Sequence, residues 1–395
     1  MANKENTTAI EKKDWRAEFT LVGTAKISDV SFKIDEQSEK SDWIYNSLNL
    51  GVNCGEKCGT VYCEMMGGYG KDKQNVIYVH GKNDDGKDDF KNTFTIDFDD
   101  RLNETFIADV GDMCFLTVGL EKTSDNKTFY KKFLHEYDAI AYIKENLKND
   151  TVIIVKGDLK YQTYNGKTFV KKQVKSICLS QAKEENYGAK FVQTVLLDKE
   201  SVSMKEIDKA TGIVPVHARV LDYLKVKTNN DEWKGQYPYN MVFNYRFDLT
   251  DSVRATTIYE TLFKVKKDIT QITFEGEIVV IGSKVETSLD DLNDNIMKLL
   301  KAGVYTEEEV KTICAGNGSK EQKLILKKPF IKKTEKDGKI TVIPQIFEHR
   351  FKEDNLIVVL PKDDNDTDNV DSVPFDEDTE SGTVDDSMSW LDSLV

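Results

Sequence analysis

The chain has 395 residues, a mass of 45.0 kDa and a formal net charge of −14 at pH 7. This length allows two or three domains with cores of their own. No window approaches the roughly 18 apolar residues that a membrane helix needs, which excludes a helical membrane protein, and we expect a soluble, cytoplasmic one. Since the cysteines lack the spacing of a disulfide framework, we also expect reduced thiols.

The charge is distributed unevenly along the chain. Residues 361–395 contain twelve Asp and Glu residues and one Lys, so most of the net charge lies in this segment. Its low hydrophobicity and like charges cannot offset the entropy of ordering, which predicts a disordered acidic tail. A few apolar residues interrupt the acidic sequence and indicate anchors for a partner protein: Pro374, Phe375, Trp390, Leu391 and Leu394.

The first ordered unit is predicted to begin after a polar, disordered segment at residues 1–14. From Trp15 the pattern becomes strand-like, and strands are predicted at 15–27, 42–52 and 59–66. Alternation along the second and third strands sorts their side chains onto an inner and an outer face. It predicts that three aromatic side chains face outward: Trp43, Tyr45 and Tyr62.

Residues 67–150 continue this unit. Residues 67–100 are rich in Gly, Asn, Asp and Lys, which is typical of a long loop or a hairpin insertion. Residues 109–122 have the composition of another strand. In residues 135–150 Ile140, Ile143 and Leu147 follow helical spacing, which predicts a helix.

A basic hairpin follows at Thr151–Leu179. Asn165-Gly166 separates two alternating segments, and this dipeptide favours the type I′ turn of a β-hairpin. The segment holds six lysines and one acid, Asp158, so its charge opposes that of the whole chain. Lysines and aromatic rings on one face are typical of a surface that binds a polyanion with exposed bases. The candidate binding residues of the outer face are Lys156, Lys160, Tyr164, Lys167, Phe169, Lys171 and Lys175, while Val170, Val174 and Cys178 are predicted to face inward.

Strands, then a helix, then a hairpin is the order of an oligonucleotide-binding (OB) barrel, in which a helix lies between the third and fourth strands. A weaker second copy follows, with strands at 190–198, 213–226 and 239–249, a short helix at 252–265 and a strand at 269–282. Phe274-Glu275-Gly276-Glu277-Ile278 repeats the pattern of Val155-Lys156-Gly157-Asp158-Leu159. A strand glycine at one fixed place suits a bend or bulge in a barrel.

The sequence therefore predicts a mainly β protein with two OB-like barrels in tandem and a few short helices. The first OB-like domain spans 15–182 with a long insertion, and the second spans 187–284. Residues 285–360 are predicted to hold two short helices, around 289–299 and 306–313, and a hairpin that turns at Asp337-Gly338. They form a third module or an elaboration of the second barrel.

This architecture resembles single-stranded DNA-binding proteins of the phage and bacterial type, over residues 15–282 and the tail, without a diagnostic motif. The resemblance implies a non-catalytic protein of a phage replication, recombination or repair system, in the host cytoplasm. It implies that the acidic tail recruits other replication or recombination proteins through its apolar residues. In that family a Pro-Phe pair commonly ends the tail, whereas here Pro374-Phe375 lies inside it. The length and the two barrels favour the phage analogy and give no basis for assuming a tetramer.

Other interpretations fit the sequence less well. Cys54, Cys58, Cys63 and His80 lack zinc-site spacing, and Asp97 and Asp99 lack partners that would complete a nuclease metal site. No catalytic nucleophile or phosphate-binding motif is present, so we predict no cofactor and no enzymatic activity. The alternative function is a non-catalytic, all-β structural or assembly protein whose basic hairpin binds an acidic protein surface.

Overall fold

The computed structural model describes residues 10–164, 166–228, 231–282, 294–304, 306, 320–336 and 339–361. The predicted acidic tail, with its five anchor residues, lies outside these residues, as do residues 1–9 and residues 307–313 of the last predicted helix. Residues 10–14 of the predicted disordered N-terminus are described, and the Lys12 ammonium lies 3.5 Å from the Asp222 carboxylate.

The described residues are mainly strands with four α-helices. The strands are β1 (Ala17–Lys26), β2 (Phe32–Gln37), β3 (Trp43–Asn53), β4 (Thr60–Gly70), β5 (Val76–Lys82), β6 (Asp88–Asp97), β7 (Leu116–Lys122), β8 (Thr128–Phe133), β9 (Val152–Tyr164), β10 (Lys167–Leu179), β11 (Gly188–Leu197), β12 (Ile213–Lys227), β13 (Glu232–Arg246), β14 (Ile269–Gly282), β15 (Lys320–Pro329), β16 (Ile331–Lys336), β17 (Lys339–Pro344) and β18 (Ile346–Phe351). The α-helices are α1 (Glu104–Ile107), α2 (Glu136–Asn146), α3 (Ser252–Ile258) and α4 (Asp294–Lys301).

Five of these strands close the first barrel. Strand β1 pairs with β3 and β9, β3 pairs with β4, β9 pairs with β10, and β10 returns to β4 through a parallel contact. Helix α2 lies between the third and fourth strands of this barrel, as predicted. Its N-terminus is capped by His135, whose ring accepts a hydrogen bond from the Tyr137 amide. The fold-class prediction of a mainly β, OB-like barrel with short helices is thus confirmed.

A second set of five strands closes in the same order. Strand β11 pairs with β12 and β14, β12 pairs with β13, β14 pairs with β15, and β15 returns to β13 in parallel. Helix α3 and the π-helical turn Tyr259–Phe263 lie between its third and fourth strands. The closing strand, β15, comes from the stretch 285–360, for which the sequence left open a third module or an elaboration of the second barrel.

The two barrels are joined through their first strands. Strands β1 and β11 pair antiparallel from Ala17–Gln193 to Val22–Gly188. Phe19 and Phe191 are directly opposite each other in this pairing, and both are buried. Buried residues of both barrels form one continuous hydrophobic cluster. Burial of this shared apolar surface stabilises the barrels against each other.

The sequence echo at Gly157 and Gly276 has a structural basis. Gly157 is opposite Phe19 on β1, and Gly276 is opposite Phe191 on β11. A Cβ atom at Gly157 would lie 2.8 Å from the Phe19 ring, and one at Gly276 would lie 2.2 Å from the Phe191 ring. Each glycine therefore makes room for the aromatic ring that fills its barrel.

Residues 71–134 form an insertion between β4 and α2. It contains the hairpin β5–β6, helix α1 and the hairpin β7–β8. Strand β7 pairs in parallel with the second half of β10, so β7 and β8 extend the sheet of the first barrel sideways. None of the helices in the described part of the chain is long and apolar enough to cross a membrane.

Candidate nucleic-acid interface

The register of the β9–β10 hairpin determines which side chains share its outer face. Lys160 pairs with Lys171, Gln162 with Phe169, and Tyr164 with Lys167. Cross-strand partners point to the same side of a sheet. The core side chains of β9 alternate with these residues, so the lysines and rings predicted for the outer face lie on the side away from the core.

A β-bulge changes the phase in the second half of β10. Val174 pairs with Gly157, whereas Ser176 already pairs with Lys156, so Lys175 is the extra residue. After the bulge Ile177 is fully buried, and Cys178 lies on the other side of the strand. The prediction that Cys178 faces inward was wrong, because simple alternation does not anticipate an inserted residue.

Several lysines of this face already have acidic neighbours. Lys175 lies 2.7 Å from Asp158, Lys171 lies 3.5 Å from Glu64, and Lys160 lies 3.6 Å from Asp222. Among the described residues, Lys156 and Lys167 have no carboxylate partner. The face is therefore basic but partly neutralised, and Lys156 and Lys167 carry its least compensated charge.

Lys172 is the one hairpin lysine on the inner side. It pairs with the buried Leu159 across the hairpin. Desolvation lowers the pKa of Lys172, against the opposing influence of Cys63 and Glu64. This lysine is half-buried and is less accessible to a ligand on the outer face.

The predicted aromatic residues of β3 and β4 divide into two groups. Tyr62 is 43% exposed and lies on the outer face next to β10, where Gln173 pairs with Glu64. Trp43 and Tyr45 are on the side opposite Leu48, as alternation predicts, but they are only 3% and 9% exposed.

The prediction that Trp43 and Tyr45 are exposed was wrong for a local reason. Their rings stack at 4.8 Å with an interplanar angle of 13°. Gly68 is opposite Tyr45 on β4, and a Cβ atom there would lie 2.8 Å from the Trp43 ring. The glycine leaves a recess for the ring, so the two aromatic residues cover each other and β4 instead of facing solvent.

A carboxylate that the sequence did not single out lies where the two barrels meet. Asp222 on β12 is 5% exposed and accepts a hydrogen bond of 3.0 Å from the backbone amide of Tyr161. Lys12 and Lys160 approach it to 3.5 and 3.6 Å. Nothing in the local sequence marks Asp222, because its partners are distant in the chain.

The residues of the rejected zinc site divide between the barrel core, which holds the three cysteines, and the insertion, which holds His80. Cys54, Cys58 and Cys63 are buried, and burial raises the pKa of Cys54 to about 12. His80 instead lies 2.7 Å from Asp88 in the insertion, and Asp97 accepts a hydrogen bond from Gln74. Among the residues that the structure describes, no group of three or more His, Cys, Asp or Glu side chains is arranged to hold a metal ion.

Comparison with protein families assigns the chain to one of them. The model of the family described as YorF matches residues 73–291, which is more than half of the chain. The chain belongs to the YorF family. The matched stretch of this YorF chain contains the insertion, the β9–β10 hairpin and the first four strands of the second barrel.

Two solved structures are similar to this YorF chain. They are the wild-type single-stranded DNA binding protein from Thermus aquaticus and a deletion mutant of it, each 11% identical with a TM-score of 0.30. The alignments cover 68% of this chain in both cases, with 86% of the wild-type chain and 88% of the mutant chain. No curated protein matches the chain.

Proposed function

We propose that this protein binds single-stranded DNA without catalysing a reaction, as part of a phage replication or recombination system. The observation that carries the proposal is the outer face of the β9–β10 hairpin. It combines lysines and two aromatic residues on one side of an OB-like barrel, in a chain of net charge −14. A basic surface with aromatic rings suits a strand whose bases are exposed.

In this proposal the DNA phosphates lie along the lysines, and the bases stack on nearby rings. Lys156 and Lys167 provide the least compensated charge, while Tyr164, Phe169 and the exposed Tyr62 provide ring surfaces. Stacking tolerates any base, so we expect little sequence preference. Release of counterions from the phosphates makes the affinity fall as salt rises.

Titration of a fluorescently labelled oligonucleotide tests the proposal. We expect saturable binding to a mixed-sequence single strand that weakens steeply between low and high salt, and much weaker binding to the matching duplex. A matched RNA strand measures the preference between DNA and RNA. Absence of binding to the single strand at low salt would disprove the function.

We further propose that residues 362–395 recruit replication or recombination proteins. The support is the acidic sequence with apolar residues at Pro374, Phe375, Trp390, Leu391 and Leu394. Deletion of 362–395 should keep or tighten DNA binding, since a segment of like charge to DNA competes for basic side chains. A clear loss of DNA affinity on deletion would contradict this competition between the tail and DNA.

One observation favours a second candidate, a structural or assembly protein whose hairpin binds an acidic partner protein. Lys160, Lys171 and Lys175 already pair with carboxylates within the chain, so this face accommodates acidic side chains. The same titration separates the two functions. Saturable binding to the single strand supports the DNA-binding function, and absence of such binding supports the structural or assembly protein.

A further inference from the structure

The outer face of the β9–β10 hairpin continues into neighbouring strands on both sides. On one side β10 pairs with β7, and β7 pairs with β8 of the insertion. On the other side β9 pairs with β1, and β1 pairs with β11 of the second barrel. Six strands from three parts of the chain therefore share one surface.

A single row of side chains crosses this surface. Its members, in spatial order, are Lys132, Thr117, Ser176, Lys156, Thr20 and Lys190. Each is the cross-strand partner of the next, so all six point to the same side. With adjacent strands about 4.8 Å apart, the row is about 24 Å long.

The row contains three lysines that are separated by one or two short polar residues. Lys156 and Lys190 are exposed and form no ion pair among the described residues, although Glu277 is the cross-strand neighbour of Lys190 on β14. Lys132 lies 3.0 Å from Asp112. Thr20 lies between Lys156 and Lys190, and Ser176 and Thr117 separate Lys156 from Lys132. We call this row of six side chains the path.

An aromatic ring lies beside this path on β8. Tyr130 is 59% exposed, and a Cβ atom at Gly119 would lie 2.9 Å from its ring, so the ring rests on the glycine of β7. Its neighbour Lys131 points the other way, with its ammonium 4.7 Å from the centre of the Tyr142 ring on α2. Tyr130 and Lys132 thus face the same side as Lys156.

We infer that one single strand of DNA crosses this face from β8 to β11, and that Tyr130, Lys132 and Lys190 bind it together with Lys156. The inference rests on the proposed function and deepens it. It assigns a phosphate contact to the second barrel and a stacking ring to the insertion. An exposed ring on the same face as Lys156 fits a base next to its phosphates better than it fits an acidic protein surface, which offers no partner for the ring.

The test compares Tyr130→Ala and Lys190→Ala with two controls in the full chain. Phe129→Ala removes an adjacent exposed ring, and Lys209→Ala removes an exposed lysine in the loop before β12. Affinities are measured for a strand of about 20 nucleotides and for one of about 6, which lie above and near the lower end of the range of OB site sizes. Thermal unfolding of each variant checks that the fold is retained.

With the longer strand, Tyr130→Ala should weaken binding about 5- to 100-fold, the range for loss of one stacked base. Lys190→Ala should reduce the slope of log affinity against log salt by about 1. Both controls should bind like the parent chain, and the short strand should respond less to Lys190→Ala because it need not reach β11.

If the parent chain binds the long strand and neither variant differs from its control, the extended path is wrong and the proposed function stands. If the parent chain does not bind, the proposed function fails, and the path fails with it. Crosslinking of a bromouracil-substituted strand provides a second measurement: adducts at Tyr130 support the path, and adducts confined to other rings overturn it.

Discussion

The fourth and fifth strands of the two barrels share a backbone design and differ in charge. In both, a glycine faces a phenylalanine of the first strand, and the following residue is acidic: Asp158 after Gly157, and Glu277 after Gly276. In both, a lysine is the bulged residue of the fifth strand, Lys175 between Val174 and Ser176 and Lys327 between Leu326 and Lys328. Each bulged lysine approaches the acid of its own barrel, at 2.7 Å and 3.1 Å.

The two hairpins differ in the charge of the residue that precedes this glycine. In the first barrel it is Lys156, which has no carboxylate partner among the described residues, and in the second it is Glu275, which lies 3.3 Å from Lys328. Glu277 also lies 2.5 Å from Lys57 of the first barrel. The shared glycine and bulge are thus requirements of the barrel, whereas the unpaired positive charge is specific to the first hairpin and is available to a ligand.

The largest expected difference between the two hairpins is in DNA affinity. Replacing Lys156, Lys160, Lys171 and Lys175 with Ala should weaken single-strand binding about 100-fold and flatten its salt slope by up to about 3 to 4, one unit per lost phosphate contact. The control variant removes three lysines of the second barrel, Lys323, Lys327 and Lys328 of β15, and should bind within about threefold of the parent chain. Anisotropy titrations at several salt concentrations measure both. Equal losses in the two variants would mean that charge alone, and not this face, determines binding.

A smaller difference between the two hairpins is expected in the loss of stability when either glycine is replaced with Ala. A Cβ at Gly157 would lie 1.9 Å from the backbone oxygen of Gln173, whereas the three atoms nearest to one at Gly276 all belong to the Phe191 ring. Backbone adjusts less easily than a side chain, so Gly157→Ala should lower the free energy of unfolding by about 3 kcal/mol and Gly276→Ala by about 1–3 kcal/mol. Urea denaturation of both variants checks this order. A larger loss for Gly276→Ala would contradict it.

These regions also indicate which features a sequence can predict. The repeated pattern around Gly157 and Gly276 and the Asn-Gly turn are local signals, and they led to the barrels. The burial of Trp43 could not be predicted, because it depends on Gly68 of the neighbouring strand. The reversed phase of Cys178 follows from a bulge that only the partner strand defines. Asp222 and the closing strand β15 depend on contacts between segments far apart in the chain.

Replacing Asp222 tests how much the contact between the two barrels contributes to stability. Asp222→Ala should lower the free energy of unfolding by about 1–3 kcal/mol, since it leaves the amide of Tyr161 without its partner in a buried site. Burial lowers the pKa of Lys12, and Asp222 acts against this shift, so the variant also removes the main stabiliser of that ammonium. Asp29→Ala, at an exposed turn, is the control and should change stability little. Equal unfolding curves for the two variants would mean that the junction contributes nothing.

The smallest expected effect comes from the acids that accompany the bulged lysines. Asp158→Asn removes a negative charge from the proposed DNA face and releases Lys175, so single-strand affinity should rise about two- to threefold at low salt and the gain should vanish at high salt. Glu277→Gln makes the same change in the second barrel beside Lys190 and should raise affinity less than Asp158→Asn, because the second barrel contributes a single lysine to the path. Neither variant should lose more than about 1 kcal/mol of stability, because ion pairs that remain partly exposed to solvent contribute little. An equal gain from Glu277→Gln would extend the DNA-binding face along the second barrel and remove the distinction between the two hairpins.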